Sequence, residues 1–575
     1  MTVLTAGVVV ALVYLLIVPM GAQLYASLRG PTLPYVEGAT TGIQNFIDIS
    51  DASGLGVTIR DTGIFVLGSV AVSFAIGLTF AWLVERTDFP GRSFLFVMIL
   101  IPFIMPQIVR AQAWLLMLSP KTGIVNEGIR AVLPFWERGP IIPQSMFGMV
   151  LVQGLGGGIF FFLMLSAMLR NMDSSLEEAG RVSGAGFWQN MRRVTLPILR
   201  PGVLAVLLLS IIHTLGVFEV PLLFGIAAGA NIFSLRIWNA IQGSGEELPL
   251  YGIASAYGVV FLILTFCLFV IYAFATRQAS RFATVGSRGF RPQRVALGRW
   301  TWVIMFFLAL YFLINAVLPI VILIWQSLVR FYVPFSWDAV SSLASLDAYR
   351  FVLFEDQRFW GALTRTLIVA STSAVLAVTL STVAAWIVVR TRSRFGGRLL
   401  DLFVTSSVAI PATVAAVAFF LFYFLVSDWI PLYGTMWVLV IAYAYRTSVA
   451  YRITYAGVIQ ISNELEEVAA VSGAGRLYTL RRIVVPLLMP SMFVAWLQLF
   501  IIGTHEFTIA IFLVSSENLT LPVEIFSRFS TSEGTTAAPN EAAAMGVLLT
   551  LFVMVLVLVL RRIVSRIGVH ETAAT

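Results

Sequence analysis

Lysine, cysteine and histidine are scarce in this chain, and each scarcity removes a class of function. The single cysteine, Cys267, cannot form a disulfide within the chain. The single lysine, Lys121, follows no glycine-rich loop, so the phosphate-binding loop of an ATPase is excluded. The three histidines, His213, His505 and His570, belong to no HExxH-type motif. The sequence therefore predicts neither an enzyme nor a bound metal or cofactor.

Charge is also scarce, and long apolar runs take its place. Charged residues make up 11% of the chain, whereas soluble domains average about 25%. Hydrophobic residues make up 59%, and the mean hydropathy is +0.92. No soluble core could hide that much apolar surface, so lipid must solvate much of it. The net charge of +8 is then read as loop charge that orients a membrane protein, and no nucleic-acid partner is expected.

About twelve runs are long enough to cross a bilayer as helices of about 20 residues. The predicted fold is therefore an all-α, polytopic membrane protein. The predicted spans are 4–27, 63–85, 93–117, 145–169, 201–226, 251–275, 301–327, 365–389, 399–426, 435–460, 489–514 and 542–560. Most basic residues fall in turns on one side, which predicts that this side and both termini are cytoplasmic. Arg29 departs from the pattern, and no basic segment of a cleavable signal peptide precedes the first span.

A polar segment of the chain occurs twice. LEEAGRVSGAGFWQNMRRVTLP runs over residues 176–197, and LEEVAAVSGAGRLYTLRRIVVP over 465–486, at an offset of 289 in the numbering. Upstream, DTGIFVLGSV pairs with RTLIVASTSA, AWLVERT with AWIVVRT, and IPFIMPQIVRAQAW with IPATVAAVAFF, at offsets of 304 to 309. Because an even number of spans separates matching points, the two halves should share one orientation.

The repeat divides the chain into two domains of six spans each. We predict a first domain over 1–276 and a second over 301–575. Residues 277–300 are basic and rich in glycine and serine, which is typical of a cytoplasmic linker.

Each polar segment carries helix start and stop signals. Serines or Asn463 can cap a helix whose glutamates lie in the first turn, where the helix dipole favours negative charge. The SGAG sequence should end that helix and turn the chain. A segment anchored on the lipid surface would not need equal spacing of Glu, Gly and Pro in both halves. We therefore favour a docking role on a partner with two sockets.

The spacing E-A/V-G/A-x-x-x-G, followed by V/I-x-L/V-P, resembles the EAA loop of binding-protein-dependent ABC importer permeases. The chain thus resembles a fused, two-domain permease. IPFIMPQIVRAQAW and GVFEVPLLFG resemble the iron(III) group, which is related to thiamine, polyamine and phosphonate importers. The departures are Gly180 and Val468 at alanine positions and Val485 before Pro486.

This resemblance implies partners and sites. The partners would be two cytoplasmic ABC ATPase subunits, which hold the ATP and Mg²⁺, and an extracytoplasmic binding protein docking on loops 119–144, 227–250 and 515–541. The location would be a prokaryotic cytoplasmic (inner) membrane. The coupling residues would be Glu177, Glu178, Gly184, Gly186, Pro197, Glu466, Glu467, Gly473, Gly475 and Pro486.

Ionisable residues within membrane spans are costly and therefore mark candidate functional positions. His213 and Glu219 on the fifth span, and His505 and Glu506 on the eleventh, are candidates for a translocation path. They could instead hold helices together. Arg446 and Arg452 are expected to snorkel or to pair with a carboxylate, and Arg110 has no assigned role. The GLGGG sequence from Gly154 to Gly158 predicts close helix packing or a hinge.

Two other classes of function remain as alternatives. ERTDFPGR, residues 85–92, is faintly similar to a loop motif of major-facilitator carriers, which are driven by ion gradients. That reading leaves both polar segments unexplained. A noncatalytic membrane subunit of another complex is the third class.

Overall fold

The computed structural model describes residues 2–30, 41–51, 54–92, 95, 104–133, 139–172, 179–180, 182–243, 248–279, 295–390, 394–530 and 538–566. Within these ranges the chain is helical and contains no strand; Thr87 and Val295 form an isolated bridge. The predicted all-α membrane architecture with two repeats is confirmed.

The first half contains eleven described α-helices. They are α1 (Thr2–Leu16), α2 (Val18–Ser27), α3 (Gln44–Asp51), α4 (Gly54–Arg86), α5 (Gln107–Met117), α6 (Ile124–Val132), α7 (Met146–Asn171), α8 (Phe187–Asn190), α9 (Leu196–Leu215), α10 (Phe233–Gln242) and α11 (Tyr251–Ala279). Single π-helical turns cover Met191–Thr195 and Pro221–Gly225.

The second half contains fifteen described α-helices. They are α12 (Trp300–Phe312), α13 (Leu318–Leu328), α14 (Trp337–Leu343), α15 (Asp347–Arg350), α16 (Gln357–Arg390), α17 (Arg394–Thr405), α18 (Ala412–Leu425), α19 (Met436–Tyr443), α20 (Thr447–Gln460), α21 (Asn463–Val471), α22 (Arg476–Thr479), α23 (Val485–Thr504), α24 (Thr508–Phe512), α25 (Leu521–Ser530) and α26 (Pro539–Arg566). π-Helical turns cover Leu313–Val317, Phe351–Glu355 and Leu480–Val484, and a 3₁₀ turn covers Ser406–Ala409.

Nine helical segments among the described residues are long and apolar enough to cross a membrane. A further pair of helical segments, Gly396–Ala409 and Ala412–Leu425, is apolar and long enough only when taken together, and it is bent by 101°. Several spans are longer than predicted: the span expected at 63–85 is Gly54–Arg86, and that expected at 365–389 is Gln357–Arg390.

Five predicted spans are not continuous helices in the described residues: 93–117, 201–226, 399–426, 435–460 and 489–514. Most of the first part of 93–117 lies outside them, and α5 forms the remainder. The run predicted at 435–460 is broken into α19 and α20 at Ala444–Arg446, so a single straight span there was wrong. Non-helical backbone at membrane depth is tolerated where protein or a cavity surrounds it.

The structure also corrects the register of the upstream repeat. Pro106 and Pro411 both stand in extended conformation directly before a helix, α5 and α18 respectively. The match is therefore Pro106 with Pro411, and the predicted pairing of Ile101 with Ile410 was out of register. A proline cannot continue a preceding helix, because it lacks the N–H and disfavours the α conformation before it. The proline thus marks the start of the matching helix in each half.

The first spans of the two halves are exchanged. Helices α1 and α2 pack against α16 and α18 of the second half. Reciprocally, α13 packs against α5 of the first half, and the Tyr311 hydroxyl on α12 donates to the Leu155 carbonyl oxygen, 2.8 Å away. Each half thus completes the packing of the other.

A charge cluster closes the end of the bundle opposite the SGAG turns. Arg528 on α25 contacts Asp356 at 2.6 Å, Glu524 at 2.7 Å and also Glu541 on α26. Burial opposes the charge of Arg528, but the hydrogen bond to Glu524 and the nearby carboxylates raise its pKa overall. The cluster therefore ties the start of α16, α25 and α26 together.

Candidate functional site

The second polar segment forms a helix, a tight turn and a second short helix. Ser462 caps α21 by accepting a hydrogen bond from the Glu464 amide at 3.3 Å, so the predicted Asn463 cap was off by one residue. The helix ends at Gly473, whose φ of +82° lies in the left-handed region. The Ala474 amide donates to the Ala469 carbonyl oxygen at 2.9 Å. This is the glycine-terminated helix end that the SGAG sequence predicted.

The first polar segment makes the same turn in the first half of the chain. Gly184 has a φ of +80°, and the Ala185 amide donates to the Gly180 carbonyl oxygen at 3.0 Å. Glu177 and Glu178 lie outside the described residues. The agreement in backbone conformation means that the two segments present equivalent turns at one end of the bundle.

A π-helical turn joins each segment to the helix that follows it. Gly186 and Gly475 precede the short helices α8 and α22. The π-helical turns at 191–195 and 480–484 then lead into α9 and α23, which begin with Pro197 and Pro486 near their first residue. The widened turns fit the two prolines, because proline has no N–H to donate to the preceding turn. Each turn is thus joined by near-continuous helix to α9 or α23.

Apolar side chains at the turns are exposed. Val182 and Val471, which occupy equivalent positions, are 90% and 89% exposed. Leu465, Val468 and Leu477 add further exposed apolar surface to the second segment. Contiguous exposed apolar residues with polar neighbours mark a protein or membrane interaction site.

Adjacent glutamates of the second segment point in different directions. Glu466 forms a partly buried strut: it accepts from Arg390 Nε at 2.6 Å and from Trp386 Nε1 at 3.1 Å. Arg390 also donates to the Ile461 carbonyl oxygen at 2.9 Å. Glu467 is exposed. The strut connects α21 to the end of the 34-residue α16, and Trp82, Arg86 and Glu177 are its sequence equivalents in the first half.

A second group of polar residues gathers where helices are interrupted. Helix α9 ends at Leu215 and α23 at Thr504, and a short break follows each. Glu506 lies within the second break, and Glu219 directly follows the first. Arg446 occupies the break between α19 and α20. Breaks supply main-chain groups that can hold buried charge.

Equivalent residues of the two halves meet at these breaks. The rings of Phe218 and Phe507 stack with centroids 6.3 Å apart and an interplanar angle of 16°. Directly after them, Thr508 Oγ1 donates to Glu219 Oε1 at 3.3 Å. Both pairs have the offset of the repeat, 289 in the numbering, so they lie on the axis that relates the halves. Trp238 and Phe512 pack on Phe218 and complete an aromatic plug.

The two carboxylates are held differently. Glu506 forms an ion pair with Arg446, and its Oε1 accepts from the Ile509 amide at 2.9 Å. Glu219 accepts from Thr508 and, at 3.3 Å, from the Phe218 amide. Arg110 lies within electrostatic range of Glu219. Two arginines therefore balance two glutamates, and the expected carboxylate partner of Arg446 is confirmed.

The glycine-rich stretch makes room for one of these arginines. A Cβ on Gly156 would lie 2.8 Å from Arg110 Nη1, and one on Gly157 would lie 2.3 Å from Ser73 Oγ. Close packing therefore explains GLGGG. Helix α7 runs without interruption over these glycines, so the alternative of a hinge finds no support.

The candidate histidines do not form a symmetric pair. His213 is exposed and stacks on Phe160 at 6.2 Å. His505 lies in the break, and its Nε2 is buried without a hydrogen-bond partner among the described residues. In the other half, Ile502 stands at the position equivalent to His213, and Gly216 at the position equivalent to His505. Arg452 is exposed on α20, away from the group at the axis.

Sequence reasoning missed Phe218, Phe507, Thr508 and Tyr443. The Tyr443 hydroxyl donates to the Glu506 carbonyl oxygen at 3.3 Å. The first three could have been found by extending the offset of the polar segments past Pro197 into GVFEV and HEFTI. Tyr443 carries no comparable signal.

Known proteins match the chain along most of its length. The family model described as "Binding-protein-dependent transport system inner membrane component" matches residues 73–281 and 377–568. The ferric transport system permease protein FbpB of Actinobacillus pleuropneumoniae is 25% identical over 94% of this chain and 76% of that protein. A putative ferric transport system permease protein, FbpB 1 of Haemophilus influenzae, is 26% identical over 84% and 74%. The probable ABC transporter permease protein y4fN of Sinorhizobium fredii is 25% identical over 98% and 95%.

Proposed function

Since this chain belongs to the family of binding-protein-dependent transport system inner membrane components, and is thus the permease subunit of an importer, we propose that its cargo is iron(III). The observation that carries the cargo is the similarity to ferric permeases over nearly the whole chain. Thiamine, polyamine or phosphonate remains the alternative cargo for the same architecture.

The energy for transport comes from two separate ABC ATPase subunits that bind the twin turns. Exposed Val182 and Val471 would enter their clefts, and ATP with Mg²⁺ would be held by those subunits alone. The turns face the cytoplasm, as the arginines beside them suggest: Arg192, Arg193, Arg481 and Arg482. Both termini and the 277–300 linker between the domains lie on the same side.

The two glutamates of the second segment divide the work of coupling. Exposed Glu467 contacts the ATPase, whereas Glu466 passes the movement to α16 through Arg390 and Trp386. A charge-assisted bond of 2.6 Å suits this role because such bonds are shorter and stronger than those between neutral groups. Glu177 and Glu178 have the corresponding roles in the first half.

The aromatic plug and the charged group form the gate of the translocation path. The plug lies at the far end of α9 and α23 from the turns, and His213, shortly before it on α9, is exposed. This arrangement fits a resting state closed toward the binding protein and open toward the cytoplasm. Glu219, Glu506 and His505 line the path at the gate. Arg110 and Arg446 balance the charges of the two glutamates, so the gate does not bind the cargo tightly.

The binding protein selects the cargo and docks on the opposite end of the bundle, at loops 119–144, 227–250 and 515–541. The Arg528 cluster anchors the loop 515–541 to the start of α16.

The one motif that suggested a secondary carrier is explained by the structural contacts of its residues. In ERTDFPGR, Glu85 pairs with Arg170 at 2.8 Å. The Asp88 amide donates to the Val295 carbonyl oxygen at 3.1 Å, and Asp88 Oδ1 accepts from the Leu297 amide at 2.9 Å. These residues thus fasten the end of the linker to the end of α4.

Reconstitution tests the proposal. Proteoliposomes would contain the chain with its ATPase subunits, and radioactive Fe(III) bound to the cognate binding protein would be supplied outside. We expect uptake that requires ATP and the binding protein. Uptake driven by an ion gradient without the ATPase would overturn the importer mechanism, and ATP-driven uptake of another solute in preference to Fe(III) would overturn the cargo.

A further inference from the structure

An apolar groove of about 670 Å³ opens on the side of the bundle. Its walls are the α1–α2 junction around Ile17, the face of α11 from Leu262 to Phe274, and α17 with the following turn from Leu399 to Ile410. The first two walls belong to the first half and the third to the second half. We refer to this space as the side groove. Its volume is within the range of about 300–1,000 Å³ typical of ligand sites.

The groove exists because a helix bends beside it. Pro411 stops α17 and its 3₁₀ turn from continuing into α18, and the two parts meet at 101°. Helix α17 therefore crosses the bundle instead of running along it. The space that a straight helix would have filled is left between α17 and α11.

The lining fits hydrocarbon and no polar ligand. Among the described residues that line the groove, Ser406 alone has a side-chain oxygen or nitrogen, and its hydroxyl already donates to the Phe403 carbonyl oxygen at 2.7 Å. A polar ligand would lose its hydrogen bonds to water and gain none here. An alkyl chain would gain contacts with aliphatic and aromatic side chains on every wall.

The bilayer supplies the occupant. At the groove, Ile263, Phe266 and Phe274 on α11 are 58%, 49% and 61% exposed, and lipid acyl chains cover such a surface in a membrane-spanning helix. Arg398 is exposed one helical turn before Leu402, so the two share a face of α17. An arginine at that position suits the phosphate of a headgroup.

We propose that the side groove binds one phospholipid, with an acyl chain against α11 and the phosphate at Arg398. An anionic headgroup binds more tightly than a zwitterionic one, because the latter carries its own cation. The lipid touches both halves, so it bridges them. This site is separate from the gate and the turns, and its existence does not depend on iron(III) as cargo.

Photo-cross-linking tests the site in the full-length chain, purified into lipid nanodiscs. The probes are phosphatidylglycerol and phosphatidylcholine with a diazirine on the acyl chain, and mass spectrometry locates the adducts. We expect adducts on 262–274 and 399–406 at several-fold the level found on the exposed face of α12, which does not line the side groove. Equal labelling of the two surfaces, or labelling of α12 alone, would overturn the proposal.

Matched variants separate a bound lipid from bulk contact. Ala273→Trp fills the groove and should reduce its adducts several-fold, whereas Ala309→Trp, on exposed α12, should leave them unchanged. Ala273→Phe serves if the larger residue prevents folding. Arg398→Gln should remove the preference for phosphatidylglycerol. If the Ala273 variants leave groove labelling unchanged, the site is refuted. If the preference for phosphatidylglycerol persists in Arg398→Gln, the role of Arg398 is refuted.

Discussion

The rings of Phe218 and Phe507 stack across the axis that relates the two halves, although each belongs to a different half of the chain. Each ring lies in the break that follows α9 or α23, the two helices that lead away from the twin turns. Movement of either turn along its helix would therefore separate the rings. This relationship connects the two candidate sites that the structure describes.

Truncating the stacked rings should make the permease leaky. Removing a buried phenylalanine side chain costs about 3–5 kcal/mol and leaves a cavity. In Phe218→Ala/Phe507→Ala proteoliposomes we expect passive ion flux without ATP, measured with a trapped pH dye, and less flux in either single variant. Phe354→Ala, which removes an 82% exposed ring at the opposite end from the turns, is the control. If the double variant folds and shows no passive ion flux, the proposed gate is contradicted.

Neutralising one member of the Arg446–Glu506 pair should destabilise the protein strongly. An uncompensated buried charge costs about 3–5 kcal/mol. Glu506→Gln or Arg446→Gln should lower the thermal unfolding temperature of the purified permease, and the double variant should lose less than the sum. Arg452→Gln changes an exposed arginine on α20 and should have little effect. Additive losses would mean that the pair contributes no coupling energy.

The adjacent glutamates of α21 should give different defects. Glu466→Gln loses a charge-assisted bond, worth about 1.5–3 kcal/mol, and should lower the transport achieved per ATP while the ATPase still co-purifies. Glu467→Gln should instead weaken ATPase binding. The exchange Arg390→Glu with Glu466→Arg should restore part of the coupling. Identical phenotypes for the two glutamine variants would rule out the division of roles.

Valine at Gly473 should disrupt the turn, whereas alanine at Gly475 should be tolerated. The left-handed conformation costs other residues about 1–2 kcal/mol, and β-branched residues adopt it least readily. Gly475 has a φ of −68° and open space around it. We expect Gly473→Val to abolish ATPase co-purification and Gly475→Ala to retain it; the reverse order would refute the turn geometry. Gly184→Val alone should reduce ATPase co-purification less than the Gly184→Val/Gly473→Val double variant does.

The sequence allowed prediction of features that depend on local chemistry or on repetition. Glycine at a helix end predicted the turns, and apolar runs of bilayer length predicted the spans. The constant offset of the polar segments predicted the two halves. The break at Ala444–Arg446 gave no such signal, because neither glycine nor proline marks it. The offset was also misjudged upstream, where Ile101 was matched in place of Pro106.

The partners of the buried charges could not be predicted for a different reason. The contact between Arg446 and Glu506 depends on how α20 lies against α23, and no local pattern encodes that placement. The opposite orientations of Glu466 and Glu467 likewise depend on where Trp386 and Arg390 end α16. Adjacent identical residues look alike in a sequence until packing distinguishes them.

The exchange of first spans has a consequence for biogenesis. Helices α1 and α2 leave the ribosome first, and α2 can pack on α11 within the first half, yet their other partners α16 and α18 are synthesised only after the whole first half. The earliest part of the chain to enter the bilayer must therefore wait there until the second half has been inserted. Fusing the halves in one polypeptide guarantees that the awaited partner arrives, once and in the same place.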